Sequence, residues 1–70
     1  MALTAREFDL LRSLALRPLW VHSRHQLRRQ VFQDAVSESI VDTYVHYLRR
    51  KLGRAVVRTV HGLGYRIGSL

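Results

Sequence analysis

The chain is predicted to be mostly α-helical and closed by a C-terminal β-hairpin, on three observations. Thr4 with Glu7 and Ser23 with Gln26 each have the spacing of a helix capping box. Val41, Val45, Leu48 and Leu52 recur at helical spacing over the longest periodic stretch. A β-branched run from Val56 to Val60 is followed by Gly62 and Gly64 and then by Tyr65-Arg66-Ile67, the pattern of two strands about a turn.

The first helix is expected over residues 5–16, with Phe8, Leu11, Leu14 and Ala15 on its apolar face and Leu10 on the flank. Pro18 forces the chain out of helix just before it. Leu19-Trp20-Val21 is short and β-compatible. The second helix starts at Arg24 and ends near Gln33, with Leu27 and Val31 on one face, Phe32 beside them, and Arg24, Arg28 and Arg29 elsewhere. After the polar link Gln33-Asp34-Ala35-Val36, Ser37 and Ser39 open a third helix, residues 37–52, which Gly53 stops. At about 100° per residue, the face opposite Val41 carries Ser39, Thr43, His46 and Arg50. Tyr47 lies on one shoulder of that face, and Asp42 and Arg49 on the other. The hairpin spans residues 56–67.

Seventy residues leave room for one modest core. The chain has no cysteine, so no disulfide supports it, and a reducing interior such as the cytoplasm is the simpler home. Its apolar runs are short and broken by arginine, which excludes a membrane span, and no membrane partner is expected. Twelve Lys and Arg against five Asp and Glu give a formal net charge of +7, and no acid follows Asp42. Such an excess points to a polyanionic partner, nucleic acid first.

Two helices joined by a short link, the second long and polar on its outer face, form a helix-turn-helix, and the basic hairpin makes it winged. A helix fits the major groove of B-DNA, and a hairpin tip reaches the adjacent minor groove or its phosphates. On this reading, the third helix recognises sequence through Ser39, Thr43, His46, Tyr47, Arg49 and Arg50, either arginine being able to donate in bidentate fashion to guanine. Arg24, Thr59 and Tyr65 hold the phosphate backbone, and His61, Arg58 and Arg66 are the wing residues. Tyr44 and Tyr47 have a second reading, as cover for the edge of the core.

His22 and His25 stand three apart, but they have neither a second ligand pair nor a carboxylate cluster, so no metal is assigned. No phosphate-cradling loop precedes a helix, and Gly62-Leu63-Gly64 falls where a hairpin must turn. No spacing of Ser, His and Asp suggests a nucleophile, so the chain is expected to be no enzyme and to need no cofactor.

Four segments in order resemble the output domain of the OmpR/PhoB family of two-component response regulators. They are Leu3 to Leu11; Val21-His22-Ser23-Arg24; Val41-Asp42 with Val45 and Leu48 to Gly53; and Val57 to Ile67. The resemblance implies a transcription factor that reads the major groove with its third helix, touches the minor groove with its wing, and pairs head to tail as a homodimer on direct repeats. It also implies a receiver domain and a sensor kinase, neither of them in this chain, so no aspartate here is assigned as a phosphorylation site.

Three departures qualify the resemblance. Family domains usually open with a small sheet packed on the first helix, whereas this chain starts at the helix, as a truncated output domain over residues 1–70 would. Uncovered apolar surface on the first helix and along the hairpin edge then predicts marginal stability or self-association. The link between helices two and three counts about two residues shorter than the family pattern. Family members can touch RNA polymerase there, which leaves activation and repression equally open. Finally, His61 stands where an arginine is usual, and Ser39, Tyr44, His46 and Tyr47 occupy positions often basic or otherwise polar, so sequence preference should differ. If His61 meets DNA, binding tightens at mildly acidic pH and His61→Ala abolishes that dependence.

The rival reading is a winged helix used as a protein-interaction module. Salt separates the two: contacts to about five phosphates give a log-log slope near −4 to −5, and a protein interface gives far less. A cationic membrane-surface peptide fits poorly, because the arginines are spread over several elements.

Overall fold

The computed structural model describes residues 2–69. Its elements run α1 (Ala5–Leu16), α2 (Arg24–Val31), α3 (Ser39–Leu52), a 3-10 turn (Arg54–Val56), β1 (Val57–Val60) and β2 (Gly64–Ile67). The two strands pair antiparallel, Val57 opposite Ile67 and Val60 opposite Gly64. Leu10, Leu14, Leu27, Phe32, Val41, Val45, Leu48, Val56 and Val57 form one core where the three helices meet the root of the hairpin. At about 1.5–3 kcal/mol for each fully buried side chain, this core carries most of the favourable term in folding.

The capping box at Thr4 is complete: the Glu7 amide donates to the Thr4 hydroxyl at 3.2 Å, and the Thr4 amide donates to the Glu7 carboxylate at 2.7 Å. Glu7 does more than cap. It is 2% exposed, and Lys51 Nζ, from the last turn of α3, donates to it at 2.6 Å. The Lys51 hydrogen bond and the Thr4 amide hold its carboxyl below the ordinary range, against the upward push of desolvation. Satisfying a buried carboxylate in this way turns α1 on its axis relative to the apolar-face reading. Glu7, Leu10 and Leu14 face inward, whereas Phe8 is 55% exposed and Ala15 is also exposed.

Three boundaries differ from the sequence pattern. α2 ends at Val31 rather than Gln33, because Phe32 leaves helical geometry to bury its ring against Tyr44, centroids 4.8 Å apart. The link that follows is tightened by Ala35 N donating to Phe32 O at 3.0 Å and by Arg28 donating to Ala35 O at 2.9 Å. α3 starts at Ser39, with Glu38 at the N-cap; Ser37 lies ahead of the helix, its hydroxyl accepting from the Ser39 amide. Val56 sits in the 3-10 turn, buried under the hairpin, and not in the strand. Leu52, at the end of the expected stripe, is 36% exposed because α3 outruns the core there.

Leu19-Trp20-Val21 forms no strand of its own. The only pairing in this connection is an antiparallel bridge between His22 and Tyr65, with both amides donating, at 2.8 and 2.9 Å. Exposed apolar surface does lie on α1 and just beyond it, at Phe8, Leu16, Leu19 and Trp20, where the Arg17 guanidinium covers the Trp20 ring at 4.8 Å.

Candidate nucleic-acid interface

α3 is held on the bundle by Val41, Val45 and Leu48, and its pitch turns Ser39, Thr43, His46 and Arg50 to solvent. Tyr47 is 39% exposed and Tyr44 is half-buried, their rings meeting edge on at 5.4 Å. Within that face, the Ser39 hydroxyl pairs with the Ser37 hydroxyl at 2.8 Å, and the Thr43 hydroxyl donates back to Ser39 O at 3.2 Å. Both oxygens keep accepting capacity. Among the described residues, His46 and Arg50 have no hydrogen-bond or ion-pair partner, which leaves their donors free for a ligand.

Arg49 is in a different situation. Its Nε and Nη2 donate to Val57 O at 3.2 and 2.8 Å, Nη2 also donates to the Thr59 hydroxyl at 2.9 Å, and the guanidinium lies 6.0 Å from the Tyr65 ring centre. With Nε and Nη2 committed to β1, this arginine fastens α3 to β1.

Asp42 fastens a third element. Arg24 Nη2, from the first turn of α2, reaches Asp42 Oδ2 at 2.9 Å, and the Tyr65 hydroxyl donates to Asp42 Oδ1. Desolvation first, and then the Asp42 carboxylate, push the Tyr65 phenol up to about 12, so its proton stays on beyond the ordinary tyrosine range. Arg24, Thr59 and Tyr65 therefore belong to one network with Arg49 and Asp42. Thr59 keeps its hydroxyl hydrogen free, whereas Tyr65 has already committed its own.

The wing presents its residues differently. His61 sits exposed in the turn closed by Leu63 N donating to Val60 O at 2.9 Å, with Gly62 at φ 77°. Arg58 and Arg66 face each other across the hairpin, on the side that strand alternation turns away from Val57, Ile67 and the core. The structure thus brings together the exposed residues of α3 and puts His61 at the tip, while Arg58 and Arg66 form a separate pair. Sequence reasoning missed Asp42 as an organiser and Arg54 as a neighbour of the α3 face. The available signals were an acid in a basic stretch and an arginine directly after a helix-stopping glycine.

The family model described as the C-terminal domain of transcriptional regulatory proteins matches residues 1–67. The chain belongs to that family. Among relatives, this member is 35% identical over 72 residues to the transcriptional regulatory protein QseB of Haemophilus influenzae, covering 100% of this chain and 33% of QseB. It is 42% identical over 67 residues to the response regulator protein PmrA of Pseudomonas aeruginosa, covering 93% of this chain and 30% of PmrA. The chain therefore spans about a third of the length of these relatives. Among solved structures, the DNA-binding domain of Bacillus subtilis CssR matches at a TM-score of 0.83 and 34% identity, covering 94% of this chain and 77% of that one. The AdeR response-regulator DNA-binding domain, solved in complex with an intercistronic region, matches at a TM-score of 0.88 and 27% identity, covering 99% and 74%. This member of the family has the winged-helix fold of response-regulator DNA-binding domains.

Proposed function

We propose that the domain binds double-stranded DNA sequence-specifically, as the output module of a two-component transcriptional regulator acting in the cytoplasm and without catalytic activity of its own. One observation carries this reading. The solvent face of α3 offers Ser39, Thr43, His46 and Arg50 at helical pitch, and the Asp42–Arg24–Tyr65 contacts with Arg49 hold that face at a set angle to a basic wing. A helix presenting the unpartnered donors of His46 and Arg50 and the accepting oxygens of Ser39 and Thr43 suits base edges in the major groove, and the absence of any acid after Asp42 favours phosphate on either side. His61 then approaches the minor groove from the wing tip.

Pairing is part of the proposal. Head-to-tail binding of two copies to direct repeats follows the family pattern, with a phosphorylated receiver domain elsewhere controlling it. Contact with RNA polymerase through the α2–α3 link is the finer possibility, because Val36 stands fully exposed at its centre. Selection from random duplex DNA, followed by titration of the enriched site and a scrambled duplex at several salt concentrations, tests the whole reading. An enriched motif, lost on Arg50→Ala or Thr43→Ala, supports it. Weak, salt-insensitive association with DNA moves the protein-interaction reading to first place.

A further inference from the structure

A cavity of about 620 Å3 opens between the C-terminal half of α3 and β1, lined by His46, Arg49, Arg50, Arg54 and Thr59. No acid lines it, and three guanidinium groups share its rim. Arg49 is accounted for internally, because it bonds β1 across the floor of the cavity. Arg50 lies in the last turn of α3, where the helix dipole favours a cation. Neither account covers Arg54. It comes after the helix has ended, has no hydrogen-bond or ion-pair partner among the described residues, and adds a third positive charge to a site that already holds two.

The local backbone puts it there. Gly53 at φ 103° reverses the chain while its own amide still donates to Arg49 O at 2.9 Å, and a 3-10 turn, Arg54–Val56, follows directly. Val56 is buried and anchors that turn from below, so the exposed Arg54 is carried back over the cavity and not out along the helix axis. Like charges gathered without an internal counter-ion call for an external anion, and the cavity adjoins the exposed α3 face at His46 and Arg50.

We infer that Arg54, with the free hydroxyl hydrogen of Thr59, grips a phosphodiester of the DNA backbone at the edge of the groove that α3 occupies, beside Arg50, whose guanidinium faces the bases. The inference rests on the DNA-binding reading above and adds to it a residue and a role. Arg54 sets affinity and register, and contributes nothing to base preference.

The test titrates wild-type protein and the Arg54→Ala, Arg54→Lys and Arg50→Ala variants against the selected duplex and a scrambled one, at four salt concentrations. Arg54→Ala is expected to weaken both duplexes equally, about five- to tenfold, and to make the log-log salt slope shallower by about one. Arg54→Lys should restore the slope, because a point charge serves a phosphate. The exposed, unpartnered side chain predicts a melting temperature unchanged in all Arg54 variants, which separates loss of contact from loss of fold. Arg54→Ala binding within twofold of wild type with the slope intact overturns the phosphate grip while leaving DNA recognition standing. A change in the ratio of selected to scrambled affinity also overturns it, because Arg54 would then be reading bases. No binding of either duplex by the wild type overturns both this inference and the reading beneath it.

Discussion

Two carboxylates tie this small bundle together, and they do so in opposite surroundings. Glu7 is buried and joins the first turn of α1 to the last turn of α3 through Thr4 and Lys51. Asp42 is about half exposed on its side chain and joins α3 to α2 through Arg24 and to β2 through Tyr65. A buried charge must be fully satisfied or it opposes folding, so Glu7 acts on stability and stands apart from the proposed interface. An exposed pair gains little in water, so the value of Asp42 lies in direction. It sets where the reading helix stands relative to the wing.

That contrast can be broken at four residues, from the largest effect on stability to the smallest, with Arg49 as a control beside the last. Glu7→Ala leaves the Lys51 ammonium against the core edge and the Thr4 amide without its acceptor, and should lower the melting temperature more than any other charge substitution in the chain. DNA affinity per folded molecule should stay within twofold; a specific loss of binding in the still-folded variant would tie this end of the molecule to recognition. The same group gives acid sensitivity a definite sign. Glu7 and Asp34 both lie below their ordinary values of 4.5 and 3.8, held there chiefly by the Lys51 hydrogen bond and by the Asp34 backbone amide together with Arg6. The stability they contribute is complete above those ordinary values and is lost as pH falls through the depressed ones. Thermal melts from pH 7 to pH 2 should show that decline, and Glu7→Gln should flatten part of it.

Asp42→Ala should reverse the proportions. Loss of two exposed or half-buried contacts is expected to cost about 1–2 kcal/mol in denaturant melts, discounted for solvent screening. Affinity for the selected duplex should fall by about tenfold or more, because α3 and the wing lose their common reference. Equal losses in folding and binding would reduce Asp42 to an ordinary stabilising residue. Tyr65→Phe removes one hydrogen bond and should cost about 0.5–1.5 kcal/mol. In the wild type, the raised Tyr65 value, about 12 against the ordinary 10, means that its contribution holds up to about pH 10 and declines as pH rises through 12. The Phe variant should lose that alkaline component. Arg50→Ala is the smallest in stability, within about 0.5 kcal/mol of wild type, yet the largest in discrimination between selected and scrambled duplex. Arg49→Ala, one residue away, should lower the melting temperature instead.

Adjacent residues also mark where the sequence was readable and where it was not. The helix starts at Thr4 and Ser23 were legible because a cap is a local event: Ser23 accepts from the Gln26 amide at 3.0 Å with no help from elsewhere. The hairpin turn was legible for the same reason. Phe8 was assigned to the wrong side and the burial of Glu7 was not foreseen, because side-chain polarity speaks only of average burial, and a lysine 44 positions away decided this case. Phe32 ended α2 early because the core needed its ring, and that need belongs to Tyr44 on another helix. On the candidate interface, helical pitch alone predicted the exposed face of α3. Arg49 and Arg50 could not be told apart, because the difference lies in the carbonyl of Val57, which becomes visible only when β1 folds back. Arg24 and Tyr65 were singled out separately, and their link through Asp42 could not be read from the sequence because it needs three elements in register.

The bridge between His22 and Tyr65 has a consequence for motion. A Cβ on Gly64 would lie 2.1 Å from His22 O, so the wing and the segment entering α2 touch backbone to backbone with no side chain between them. Any tilt of the hairpin is then transmitted to Ser23 and Arg24 without a cushion to absorb it. In a hydrogen-exchange experiment, the amides of His22 and Tyr65 should open together, at a common rate, and that rate should slow when DNA holds the wing. The wing is in this sense a handle on α2, and Gly64 is the place where the two become one rigid part.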